Sequence, residues 1–311
     1  MTTHFPTISA GGPPPLPTYK YMHRLRHPGD PVTRQRFEFR ELAMYVRGWL
    51  TYQVGVATRD SAARLLYVIG RPGEGKSEGC MVAALNAGFH VLVITGADLA
   101  GSTEAASTEA LHAILKECVQ WSALHKARIV IILDDFDLST ANIGQDVAGT
   151  INGPLLVQEL MALADQRHLY RNADSSNLGF IITLNDASNL RESLTRAGRA
   201  DWYQHSPDAD DRANVAWAIL APRTGPERDL VAALVRKNIR QPIAFWKALF
   251  HRMQALQARH LIEGGMPNAA AIDEAYGKRL KLVPEIAWQA ATELRTSRVR
   301  NWLGSKNWLG R

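Results

Sequence analysis

Cysteine is scarce. Cys80 and Cys118 are the only two in 311 residues, too few for a disulfide framework and without the paired spacing of a zinc site. Both fall on apolar faces of predicted helices, so each is expected to pack as a small core side chain. Long apolar runs are lacking as well. No stretch approaches the roughly 18 uncharged apolar residues that a membrane helix needs. The opening "MTTHFPTISAGGPPPLP" has neither the basic start nor the apolar core of a secretory signal, and the expected location is cytoplasmic. One-sided charge is missing from the body of the chain. The net charge is +6, yet Lys20, Arg24, Arg26, Arg34 and Arg36 face one acid, Asp30, within residues 1–36. Arg295, Arg298, Arg300, Lys306 and Arg311 face none within 295–311. The two tails hold more than the whole surplus, and the body between them is slightly acidic. Basic tails can bind a nucleic-acid backbone or an acidic protein surface, but the acidic body argues against a fold dedicated to nucleic acid.

What is present is an alternation of elements. "GGPPPLP" can form neither helix nor strand, so residues 1–36 read as a flexible, basic extension. Phe39, Leu42, Val46, Trp49 and Leu50 mark one face of a first helix. Buried strands are predicted at 64–70, 90–95, 128–135, 178–186 and 200–206. Helices are predicted over 76–87, around Leu111 to Trp121, and in "GPLLVQELMALAD". "RIVIILDD" is apolar without alternation, as a parallel strand covered on both faces requires. The pattern predicts an α/β domain over 37–208 around a five-stranded parallel sheet. After "SPDADDR" it turns helical. Pro242 suits the first turn of a long helix that Gly264-Gly265 stops. Residues 209–285 therefore read as a helical domain and 286–311 as a basic C-terminal helix or tail.

The chemistry starts at "VIGRPGEGKSEGC", residues 68–80, where an apolar strand runs into G-x-x-x-x-G-K-S and then a helix. Gly70, Gly73 and Gly75 let the backbone aim N–H groups at phosphates, with Arg71, Pro72, Glu74 and Glu78 completing the loop and first helical turn. Lys76 can reach the β- and γ-phosphates of ATP, and the Ser77 hydroxyl can ligand Mg²⁺. Asp134 closes the strand "IVIIL" at its carboxyl end, where a carboxylate can hold the metal, and Asp135 can polarise an attacking water. Asn185 ends another apolar strand. Arg196 and Arg199 flank a glycine turn, and arginine suits transition-state phosphate charge because its planar fork donates two parallel bonds.

That ordered set resembles the AAA+ ATPases, and within them Rubisco activase of the green lineage. "RPGEGKSEGC" is similar to the family's GKGQGKS-type loop and "LDDFD" to its acidic pair. "ITLNDASNLRESLTRAGRADWYQHSPDADDR" is similar to the sensor and arginine-finger region, and "QPIAFWKALFHRMQALQARHLI" to the lid helix. The resemblance implies a P-loop AAA+ domain with a C-terminal helical lid, an ATPase that takes ATP and Mg²⁺. It makes Asn185 a sensor of the γ-phosphate and Arg196 and Arg199 fingers that complete a neighbour's site. It further implies a homo-oligomer, a hexameric ring, whose pore segments Leu99-Ala100-Gly101 and 139–152 act on a protein client, with Rubisco as one possibility. The segment "LQARHLI" lacks the acids of the activase client-recognition helix. The alternative is an ATP-dependent, DNA-associated AAA+ oligomer of a mobile element, replication or defence system, using the basic tails.

Overall fold

The computed structural model describes residues 19–30, 37–54, 62–99, 106–136, 158–165, 169–170, 173–187, 198–263 and 282–305. Its centre is five strands: β1 (Leu65–Ile69), β2 (His90–Thr95), β3 (Ile129–Asp134), β4 (Leu178–Leu184) and β5 (Ala200–Gln204). They lie in the order β2-β3-β4-β1-β5, and every pairing is parallel. Successive side chains of a strand point to opposite faces, and here both faces are buried. Leu65 and Tyr67 of β1 join one core with Leu92, Ile131 and Phe180. Leu66 and Val68 join another with Val91, Ile132 and Ile181. The second core is closed by α1 (Arg40–Val54) and α2 (Lys76–Asn86), the first by α3 (Ala106–His125) and the helical residues 158–165. Cys80 and Cys118 are buried, one in each core, and burial pushes both thiols up.

Strand β4 comes late in the chain but lies between β1 and β3. The carboxyl ends of β1 and β3 therefore stand one strand apart, which opens a crevice at that edge of the sheet.

The amino-terminal segment departs from expectation. Residues 19–30, read from composition as part of a flexible extension, pack along the edge strand β2. Met22 and Leu25 are buried in the first core, and Arg26 forms an antiparallel bridge with Val91, its N–H and C=O engaged at 2.9 and 3.0 Å. The Arg24 guanidinium pairs with Asp98 and donates to the Val93 carbonyl at 2.9 Å. The Glu117 carboxylate accepts the N–H groups of Lys20 and Tyr21 at 2.8 and 2.7 Å. The physical reason is the edge itself, whose outward N–H and C=O groups need a partner.

The carboxyl-terminal part is helical: α4 (Ala209–Leu220), α5 (Gly225–Asn238), α6 (Ile243–Glu263) and α7 (Pro284–Ser305). Asp208 with Asp211, and Thr224 with Glu227, form capping boxes that start α4 and α5. Leu220, Leu234, Trp246 and Met253 share a third core with Ala287, Ala290 and Ala291 of α7. The expected boundary at 285 therefore cuts through this unit, because helically spaced alanines let α7 approach closely. Among the described residues, no helix is long and apolar enough to cross a membrane.

Candidate active site

The loop between β1 and α2 is shaped by what glycine permits. A β-carbon on Gly70 would lie 2.4 Å from the His205 carbonyl oxygen, so no side chain fits between the ends of β1 and β5. Gly75 has φ +82° and precedes α2 as its cap, a left-handed conformation that glycine adopts without steric cost. The loop thus enters α2 with first-turn N–H groups that the helix cannot satisfy internally. Lys76 is only 5% exposed. Its Nζ donates to the carbonyls of Gly70 (2.9 Å) and Arg71 (3.1 Å) and to Asn185 Oδ1 (2.8 Å). The ammonium therefore bridges the loop and the end of β4. Arg71, Pro72, Gly73 and Glu78 are exposed, whereas Glu74 is buried with its carboxylate turned toward the helical domain.

The acidic pair follows from the register. Asp134 ends β3, and its Oδ1 accepts from the Ser77 hydroxyl and, at 2.8 Å, from the Thr183 hydroxyl. Thr183 is fully buried on β4; its Oγ1 also accepts the Asp135 N–H at 3.1 Å and lies 3.3 Å from Ser77 Oγ. Asp135 has φ +49°, an uncommon backbone for a non-glycine residue, held there through Thr183. Asn185 Nδ2 donates to Asp135 Oδ1 at 3.4 Å, so a single amide spans the Lys76 ammonium and the Asp135 carboxylate. Sequence reasoning missed Thr183. The one signal was a hydroxyl inside the apolar run "GFIITL".

Lys76, Ser77, Asp134 and Asp135 face a cleft of about 1280 Å³ between the sheet edge and the helical domain, with Thr183 buried behind them. Gly73, Lys76, Ser77, Asp134 and Asp135 form its polar floor. Phe37, Phe39, Val215, Ile219 and Phe250 form an apolar wall, with Lys247 on α6 also facing in. The arrangement fits a nucleoside triphosphate with Mg²⁺. A buried cation and outward amides suit the phosphates, and the apolar wall suits a planar base. Mg²⁺ takes few protein ligands and keeps waters and phosphate oxygens, which matches the Ser77–Asp134 pair. Among the described residues, no group of three or more His, Cys, Asp or Glu could form an all-protein cage.

Arg199 lies just before β5, and its Nε and Nη2 donate to the two carboxylate oxygens of Asp165 at 2.7 Å each. It is not part of its own chain's cleft wall as described. Arg196, Ala100, Gly101 and the segment 139–152 lie outside the described residues. Leu99 is 3% exposed and belongs to the first core, so its side chain does not line an open surface.

Residues 66–207 match the model of the ATPase family associated with various cellular activities (AAA). Similar proteins include the chloroplastic ribulose bisphosphate carboxylase/oxygenase activase of Phaseolus vulgaris, 27% identical over 207 residues, which are 64% of this chain and 46% of the relative. The activase of a Nostoc species is 27% identical over 204 residues, 64% of this chain and 49% of the relative. The activase of Oryza sativa is 25% identical over 224 residues, 70% and 46% of the two chains. The chain spans about half the length of the curated relatives it matches. Sheet order, loop geometry and these matches agree: the chain carries an AAA ATPase domain similar to that of the ribulose bisphosphate carboxylase/oxygenase activases.

Proposed function

We propose that the protein hydrolyses ATP and uses the cycle to remodel a protein client, working as a ring that the family resemblance makes a hexamer. One observation carries the hydrolytic reading. Two linked sets, Lys76–Asn185–Asp135 and Ser77–Asp134–Thr183, meet at the carboxyl ends of neighbouring strands above one cleft. Lys76 and the loop amides hold the β- and γ-phosphates, and Ser77 and Asp134 hold Mg²⁺. When bound, the metal neutralises charge on the phosphates. Asp135 accepts a proton from the water whose oxygen bonds to the γ-phosphorus, while the bond from that phosphorus to the ADP oxygen breaks. Asn185 ties the position of Asp135 to that of Lys76. Arg196 and Arg199 act in the site of a neighbouring copy. Rubisco is the first client to test, because the relatives are named as its activases.

The test pairs calorimetry with phosphate release. Lys76→Ala is expected to lose ATP binding. Asp135→Asn is expected to bind ATP as the parent does and hydrolyse it about 10² times more slowly or worse, the scale of a lost general base. Parent-like affinity in the first variant removes the phosphate assignment, and undiminished turnover in the second moves the base to another group.

A further inference from the structure

Glu74 belongs to the phosphate-facing loop, yet its side chain points away from the cleft and is buried. Its carboxylate accepts from Arg212, Nη1 to Oε2 at 2.8 Å and Nη2 to Oε1 at 3.0 Å, and from the Ile243 N–H at 3.4 Å. Arg212 stands in the first turn of α4, and Nη1 also donates to the Gln241 carbonyl at 2.9 Å. Next to it, the Gly73 carbonyl accepts the Ala244 N–H at 2.8 Å. The Glu74 carbonyl is 2.9 Å from His205 Nε2, which must carry the proton because a carbonyl only accepts. Burial holds the His205 pKa down, in keeping with a neutral ring. Two consecutive loop residues are therefore pinned from three places: the end of β5 through His205 just after it, α4 through Arg212, and the start of α6 through Ile243 and Ala244.

A buried ion pair adds little stability over well-packed apolar side chains. What it does supply is direction, since an arginine fork and a carboxylate meet in one planar geometry. The carboxylate also sits at the amino end of α6, where the helix dipole favours negative charge. We infer that Glu74 and Arg212 are positioning residues for nucleotide binding: the pair ties the shape of the phosphate-facing loop to the seating of the helical domain, so that neither changes alone. This rests on the reading of that loop as the ATP site. Rotation of α4 relative to the sheet must then pull on Glu74, and a change in the loop must move Arg212.

The test uses the full chain with Glu74→Ala, Arg212→Ala, the double variant, Glu74→Gln and Arg212→Lys. Three quantities are read: ATP affinity by calorimetry, amide exchange over residues 70–79 without nucleotide referenced to α3, and KM against kcat. Each alanine single variant is expected to weaken ATP binding about tenfold or more, the scale of a small misplacement of binding groups. KM should rise more than kcat falls, and exchange should quicken over 70–79 while α3 stays as in the parent. The double variant should bind no more weakly than the worse single, because both act through one contact. Glu74→Gln keeps an acceptor and should recover most of the affinity, whereas Arg212→Lys loses the fork and should not; this pair decides the matter if the alanine variants fail to fold. Affinity within twofold of the parent in Arg212→Lys, multiplicative losses in the double variant, or equal quickening in α3 would each overturn the inference. A parent that binds ATP while Lys76→Ala does not, beside a Glu74 and Arg212 set that binds normally, refutes the positioning role alone; a parent that binds no ATP removes the underlying reading too.

Discussion

Thr183 is the residue on which both acids of the site depend. Its single hydroxyl donates to Asp134 and accepts from the backbone of Asp135, so it orients the Asp134 carboxylate and holds the unusual backbone of Asp135. Replacement by valine keeps the volume and the β-branch but takes a donor from the Asp134 carboxylate and an acceptor from the Asp135 N–H. Thr183→Val is therefore expected to bind ATP with near-parent affinity and hydrolyse it about tenfold or more slowly, with Thr183→Ser close to parent. Phosphate release under saturating ATP checks this, and parent-like turnover in the valine variant would make Thr183 a packing residue only. Nothing in the sequence separates this threonine from an ordinary strand former, since β-branched residues are favoured in strands anyway. Lys76 and Ser77, by contrast, stand in a spacing with one known chemistry.

At the scale of elements, the amino-terminal arm is where composition misled. Its apolar anchors, Met22 and Leu25, are isolated among polar and charged residues and produce no periodic signal, yet Leu25 is only 5% exposed. Leu25→Ala is expected to destabilise the fold by about 2–5 kcal/mol, the range for emptying a buried leucine site, read from urea unfolding. A flexible arm would show no change. The arm's polar clip has its own pH window. The hydrogen bond from Arg24 is the main reason the Asp98 carboxyl falls from 3.8 to about 2. A depressed carboxyl contributes stability that is fully present above its unfolded value and is lost as pH falls toward the folded one. The clip should hold at neutral pH and open only in strong acid.

At the scale of the whole molecule, the proposed ring makes its prediction at Arg199. Arg199 makes a two-pronged contact with Asp165, a carboxylate half exposed to solvent, and it lies away from its own cleft as described. A finger acting in a neighbour's site must be presented from such a surface. Arg199→Ala is expected to bind ATP normally and hydrolyse it about 10³ times more slowly. Parent activity per subunit should rise with protein concentration, and mixing Arg199→Ala with Asp135→Asn should restore part of it, because some interfaces then join an intact Asp135 to an intact arginine. Concentration-independent turnover by a monomer would leave Arg199 as a brace for the loop before β5.

The amino-acid sequence by itself determined the alternation of strands and helices, the five parallel strands, the glycine-rich loop before α2 and the place of the acidic pair at the end of β3. Each of these is written in local spacing, which hydrophobic period and glycine chemistry make readable. Only the tertiary structure decided that β4 enters between β1 and β3 and so brings Thr183 and Asn185 to Asp134, Asp135 and Lys76. Only it turned Glu74 away from the cleft to meet Arg212, packed the arm on the β2 edge, and joined α7 to the helical core. Those contacts link residues far apart in the chain, and they are selected by burial and by the pairing of polar groups, which no local window of sequence records.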